Sequence, residues 1–173
     1  MGTMTNMLRN RNYAVPDQLE PIENFRVRNK DTNALCLVFF WVDGKAGVSV
    51  TGDIIKQMDS ENAYEAILVT DGLTPQASIK LNSTPNVCVM TPQSLKFDVS
   101  KHKHVPPHRI MTRHEKEALR KKYGDLSNLP MIHLDDPVSK YMGARTGDVF
   151  EITRNRPNVG KDLYYRQVVK TNK

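Results

Sequence analysis

The stretch LPMIHLDDPVSKYMGARTGDVFEITR, residues Leu129 to Arg154, carries its own punctuation. LPMIHL predicts a short strand. Asp136 then stands at a helix N-cap, Pro137 at the first helical position and Gly143 just past the end, the order in which helices open and close. Thr146-Gly147-Asp148 is a turn, and the chain continues as a strand. Downstream, RPNVGKD predicts a hairpin turn and LYYRQVV the return strand. Upstream, Thr112-Arg113-His114-Glu115 fits a capping box, with Thr at the N-cap and Glu at the third helical position. The helix RHEKEALRKKY would end at Gly124. Its cluster Arg120-Lys121-Lys122 falls in the last turn, where cations suit the helix dipole, so no ligand is needed to explain it. Further upstream, KHKHVPPHRIMTRHE holds four of the five histidines. Pro106 and Pro107 force an extended path there.

The first part of the chain reads as strands alternating with short helices, the pattern of a small α/β sheet domain. NMLRNRNY predicts a short helix. PDQLEPIENF opens another at Pro16 and Asp17, kept short by Pro21. FRVR and ALCLVFFWV are strands around the turn NKDTN, the second apolar throughout, as in a strand covered on both faces. DGKAG is a turn and VSV a short strand. TGDIIKQMDS predicts a helix capped by Thr51 or Asp53, with Ile54, Ile55 and Met58 in one stripe. AILV is a buried strand. TDGLTPQASIKLN is a loop into a helix with Thr74 at the N-cap and Pro75 at the first position. NVCVM is a further strand.

Charge divides the chain at the same place. Residues 1–98 carry nine Lys/Arg against eleven Asp/Glu; residues 99–173 carry sixteen against eight. The expected organisation is two units, 1–98 and 99–173, of mixed α+β class. A basic second half fits nucleic acid, an acidic protein surface, or merely a solvated face. The longest apolar run, Ala34 to Val42, has nine residues where a membrane helix needs about 20. The start of the chain has no apolar segment of the signal-peptide kind, so a reducing compartment is expected. Cys36 and Cys88, each among strand-like apolar residues, read as buried free thiols.

Signatures of chemistry are weak. His102, His104 and His108 are closely spaced, but zinc sites usually draw on thiols or carboxylates as well, and the prolines keep the rings from converging. Neither cysteine has electropositive neighbours in sequence. VDGKAG lacks the spacing of a phosphate loop. Asp135-Asp136 is explained as capping. A nuclease would need clustered carboxylates and a Lys at a sheet edge, which are not found. Tyr164, Tyr165 and Arg166 could serve a stacking platform, but adjacent strand residues face opposite ways, so one Tyr should pack in the core. No catalytic residue, metal or cofactor is expected.

HVPPHRIMTRHE, LPMIHLDDPVSKYMGARTGDVFEITR and RPNVGKDLYYRQVV resemble the RNA polymerase subunit called H in archaea, whose larger counterpart is the shared fifth subunit of eukaryotic polymerases. The family pattern H-x-L-V-P-x-H, L-P-x-I, D-P-V, G-x-x-x-G-x-V, I-x-R and Y-R-L-V runs in order from His102 to Val168, with His104 and Gln167 replacing leucines. The first unit resembles the eukaryotic jaw domain more loosely. Its T-P-S-A loop reads Thr74-Pro75-Gln76-Ala77 here. The archaeal subunit lacks that domain, so the chain is of the eukaryotic kind, and its shorter front points to a divergent or viral version. The resemblance implies a non-catalytic subunit, one copy per complex. Its C-terminal assembly domain would dock on the largest polymerase subunit, among other subunits. Its jaw domain would lie beside downstream duplex DNA, with Thr74 to Ala77 nearest the duplex. Partner-binding residues expected on these grounds are Pro106, His108, Asp136, Pro137, Gly143, Gly147, Arg154, Arg156, Tyr165 and Arg166. The hairpin around Arg156 would present strand edges for a partner to cover. His102 and His108 would be structural hydrogen-bonders, and His104 and His114 exposed. The implied location is the nucleus for a cellular protein, the host cytoplasm or virion for a viral one. A free-standing basic nucleic-acid-binding module is the alternative.

Overall fold

A computed structural model describes residues 2–16, 24–156 and 160–170. The chain forms two compact units, Met1–Phe97 and Asp98–Lys173, and the class is mixed α+β.

The first unit runs α1 (Gly2–Asn10), β1 (Tyr13–Ala14), β2 (Phe25–Asn29), β3 (Leu35–Trp41), α2 (Val48–Ser60), β4 (Glu65–Thr70), α3 (Pro75–Ser83) and β5 (Val87–Met90). Its sheet has the order β1-β2-β3-β4-β5. β1, β2 and β3 pair antiparallel, while β3, β4 and β5 are parallel, joined by the crossover helices. Successive strand residues point to opposite faces. Leu35, Leu37, Phe39, Ala66 and Leu68 therefore share one face, packed by Ile54 and Met58 of α2 and Leu81 of α3. Cys36, Val38, Ile67 and Val69 fill the other and are also buried. That is why these strands read as unbroken apolar runs.

Several expectations for this unit change. VSV is not a strand. Val48 begins α2, Gly47 is its N-cap, and Thr51 is buried within the helix, its hydroxyl donating to the Val48 carbonyl at 3.0 Å. Val50 packs on the core, and that packing overrides β-branched propensity. The first helix starts at Gly2 and ends before the left-handed Asn12 (φ 65°), so Tyr13 joins β1. The helix expected from Pro16 lies outside the described residues. Cys36 is buried, but Cys88 is only partly so. Burial and the Glu65 carboxylate push the Cys36 thiol well up, so it stays protonated. Glu65 also accepts from the Tyr13 hydroxyl at 2.6 Å and pairs with the enclosed Arg11 guanidinium at 2.5 Å.

The second unit runs β6 (His108–Ile110), α4 (Arg113–Tyr123), β7 (Met131–His133), α5 (Pro137–Met142), β8 (Val149–Arg156) and β9 (Gly160–Val169). The sheet order is β6-β8-β9-β7. Ile132, Phe150, Ile152 and Val168 pack with Ala144 and Met142 on one side. Val149, Met111 and Leu119 of α4 pack on the other. The capping box is formed in full: the Glu115 N–H donates to the Thr112 hydroxyl at 3.3 Å, and the Thr112 N–H to the Glu115 carboxylate at 2.7 Å. Asp136 caps α5, accepting from the Val138 N–H at 2.8 Å, and Gly143 closes it in the left-handed conformation (φ 67°) that glycine adopts without strain. β6 was not legible in the sequence. Tyr164 and Tyr165 do face opposite sides, but both are partly buried rather than one being core.

The hairpin β8–β9 is not a free pair of edges. At its base it is the interior of the sheet, with β6 on Phe150–Ile152 and β7 on Gln167–Val169. Only the part towards Arg156 and Gly160 runs beyond these flanking strands.

Candidate functional site

Pro106 and Pro107 deliver the chain extended to β6, and the Pro106 carbonyl takes a hydrogen bond from His108 Nδ1 at 2.6 Å. The His108 ring stands edge-on to Phe150, centroids 5.6 Å apart. Burial lowers the His108 pKa below the usual histidine value. Arg166 and Arg154 push the same way; the Pro106 carbonyl and Asp136 oppose them. Burial thus favours the neutral form of the ring.

Across the same face of the sheet stand Ile152, Arg154, Tyr164 and Arg166. They are brought together by alternation along β8 and β9 and by the register Ile152 opposite Tyr164. Both guanidiniums lie against the Tyr164 ring, Arg154 at 4.1 Å from its centroid and Arg166 at 5.6 Å. Arg166 also donates to the Met131 carbonyl at 3.3 Å. Neither has a carboxylate partner among the described residues, whereas Arg109 is paired with Glu115 and Glu151, each at 2.9 Å. A shallow cleft of about 230 Å³ is lined by these two arginines with His104, Val105, Pro106, His108, Ile132, Asp136, Val138 and Ile152. Its apolar residues and two guanidiniums suit an oxyanion-bearing partner, because an arginine fork matches carboxylate geometry; Asp136 is the one carboxylate among its lining residues.

Of the residues expected to bind a partner, Pro106, His108, Asp136, Arg154 and Arg166 converge on this cleft. Pro137 begins α5 and is exposed. Gly143 and Gly147 (φ 88°) shape turns instead, the Gly147 N–H donating to the Val168 carbonyl at 2.9 Å. Tyr165 points to the opposite face, packed towards α4 with its ring 6.3 Å from Tyr123. The Arg156 side chain lies outside the described residues. His104, Val105, Ile132, Val138 and Ile152 line the cleft without having been singled out. The stacking role of Tyr164 was also missed, although the two-residue period joining it to Arg166 was available. His102 and His104 are exposed, with rings 5.7 Å apart, and the His104 N–H donates to His102 Nδ1 at 3.3 Å. His114 is exposed as well. Among the described residues no group of three His, Cys, Asp or Glu is placed to hold a metal ion.

In the first unit, Thr74 caps α3, its hydroxyl accepting from the Ala77 N–H at 3.4 Å. The loop is strapped to the segment after β3: the Thr74 N–H donates to the Ala46 carbonyl at 3.1 Å, and the Ala46 N–H to the Gly72 carbonyl at 2.9 Å. Pro75 has no N–H, and Ser78 donates to the Thr74 carbonyl. The Gln76 N–H and side chain are thus what the first turn can offer a ligand, with Pro75 and Gln76 exposed and Ala77 buried.

Comparison with known proteins follows the division into units. The family model described as RNA polymerase Rpb5, C-terminal domain, matches residues 97–168. The DNA-directed RNA polymerases I, II, and III subunit RPABC1 of Caenorhabditis elegans is 31% identical over 195 aligned residues, covering 96% of this chain and 92% of that protein. Its Caenorhabditis briggsae counterpart is 34% identical, covering 82% and 69%. The DNA-directed RNA polymerase subunit Rpo5 of Thermococcus onnurineus is 47% identical over 74 residues, covering 42% of this chain and 90% of its own. With a relative aligned along nearly its whole length and the family model matched over residues 97–168, the chain belongs to the Rpb5 family of DNA-directed RNA polymerase subunits.

Proposed function

We propose that the chain is a non-catalytic structural subunit of a multisubunit DNA-dependent RNA polymerase, present in one copy and requiring no cofactor of its own. Residues 99–173 dock on the largest subunit, with other polymerase subunits as neighbours. Residues 1–98 stand as a jaw beside downstream duplex DNA, with Thr74, Pro75, Gln76 and Ala77 closest to it. Gly143, Gly147, Tyr165 and Arg156 support the docking surface that Arg154 and Arg166 centre. The protein works in the nucleus if its source is cellular, and in host cytoplasm or virion if viral.

One observation carries this reading beyond family membership. Arg154 and Arg166 are stacked on one ring at a cleft, and among the described residues neither is in an ion pair with a carboxylate, although Asp136 lines the same cleft. Such groups favour a partner that supplies the acid. Charge reversal at either position, Arg154→Glu or Arg166→Glu, should lower incorporation into polymerase while the free protein keeps its fold. Normal incorporation of both variants would overturn the docking assignment. Changes at Thr74 to Ala77 should leave assembly intact and weaken crosslinking to template ahead of the active site; an unchanged crosslink would remove the loop from the DNA path. The basic second half also admits a free-standing nucleic-acid-binding module. That reading predicts tight, steeply salt-dependent DNA binding by the protein alone, whereas a docked subunit binds DNA weakly without its partners.

A further inference from the structure

β9 is longer than the strand beside it. On one side it is paired with β8 continuously, from Val149 opposite Gln167 to Arg156 opposite Gly160. On the other side β7 reaches only from Met131, opposite Gln167, to His133, opposite Val169. Among the described residues no strand lies along that side of Lys161 to Arg166.

Two hydrogen bonds settle which backbone groups face the gap. The Gln167 N–H donates outward to the Pro130 carbonyl at 2.9 Å, and the Val168 N–H donates inward to the Asp148 carbonyl at 2.8 Å. Strand residues alternate, so Leu163 and Tyr165 turn their N–H and C=O groups outward, as Gln167 does. Exposed edges of this kind are templates for another strand, and proteins usually blunt them with inward charges, prolines or bulges. No proline interrupts this edge between Lys161 and Gln167.

The side chains flanking the edge differ between its two faces. On one face Leu163 is 50% exposed, and Met131, at the near end of β7, 62% exposed. On the other face stand Arg166, reaching the Met131 carbonyl where β7 begins, and Arg154 on β8, both over Tyr164 and neither in an ion pair with a carboxylate among the described residues. An added strand continues the same alternation. Its residues on the Leu163 face meet apolar surface, and those on the other face meet Arg166 and the Tyr164 ring, with Asp162 beside Lys161.

We propose that the outer edge of β9 from Leu163 to Tyr165 takes up an extended segment of a partner polypeptide. Apolar residues of that segment alternate with acidic ones, the acids facing Arg166 and Arg154. The partner being a polymerase subunit rests on the function proposed above; the edge, its polarity and the chemistry of the segment do not. Main-chain bonds then give the docking its affinity, and the arginine face sets its register.

The test uses the full-length chain in assembled polymerase. Leu163→Pro removes an outward N–H while leaving the bonds to β8 untouched, and Leu163→Thr keeps that N–H. Leu163→Pro should lower affinity for the remaining complex about tenfold or more, the equivalent of a lost hydrogen bond at about 1.4 kcal/mol. Leu163→Thr should lose less. Hydrogen exchange of the unaltered protein covers the case in which the proline variant misfolds: the Leu163 and Tyr165 amides should slow on assembly. Unchanged exchange at both amides, or full incorporation of a folded Leu163→Pro chain, overturns strand addition. If Arg166→Glu still blocks incorporation in that case, docking at the cleft stands without it. If no variant matters and no polymerase subunit is bound, the broader function fails instead.

Discussion

His108 shows how one side chain ties the arginine-lined cleft to the stability of its unit. It is half-buried beside Phe150, its Nδ1–H is held by the Pro106 carbonyl, and two arginines share the cleft. Burial, first among the causes, depresses its pKa in the folded protein. The unfolded chain then binds more protons than the folded one just below neutrality. The contribution of His108 is therefore full above about pH 6.5, its unfolded value, and is lost as pH falls through the depressed folded value. Thermal unfolding at pH 7.5 and 5.5 should show the wild type losing stability on acidification, and His108→Gln losing less. Equal losses in the two proteins would contradict this. Tyr164 makes the complementary point about legibility. The resemblance indicated Arg154 and Arg166, and alternation placed both on one face of the hairpin. Their stacking on a single ring depends on the cross-strand register Ile152 to Tyr164, a pairing that local sequence does not measure.

At the scale of elements, local punctuation separates what can be read from what cannot. α4 and α5 were legible because their caps are short-range: Thr112 with Glu115, and Asp136 with Pro137 and Gly143. Thr112→Ala removes the cap hydroxyl and should cost about 1 kcal/mol. A chemical denaturation midpoint lowered by that amount, with the transition slope unchanged, would agree; no change would show the cap to be dispensable. α2 was misread at its start because Val48-Ser49-Val50 favours a strand locally, while Val50 packs on a core assembled from distant residues. β6 was missed because only three residues follow the prolines, and its partner in β8 lies some forty residues on. The end of α1 and the start of β4 are joined by another long-range feature, the ion pair Arg11–Glu65, with the Arg11 side chain 3% exposed. Glu65→Ala would take the paired carboxylate from a buried guanidinium and should destabilise the protein by about 3–5 kcal/mol. A loss below about 1 kcal/mol in urea unfolding would mean that solvent reaches Arg11.

For the whole molecule, the division in charge has a physical counterpart. The first unit is a sheet covered on both faces, with nearly balanced charge. The second is smaller and strongly basic, with two cleft arginines that make no ion pair with a carboxylate among the described residues. A unit of that size buries less of its surface than a large domain does and gains from being held by a partner. The central claim is that this partner is a polymerase. Affinity purification of the tagged full-length chain at mild salt, with the bound proteins identified by mass spectrometry, tests it most directly. The account predicts recovery of the two largest subunits of a DNA-directed RNA polymerase, at one copy of this chain per complex. Recovery of the chain alone would contradict it.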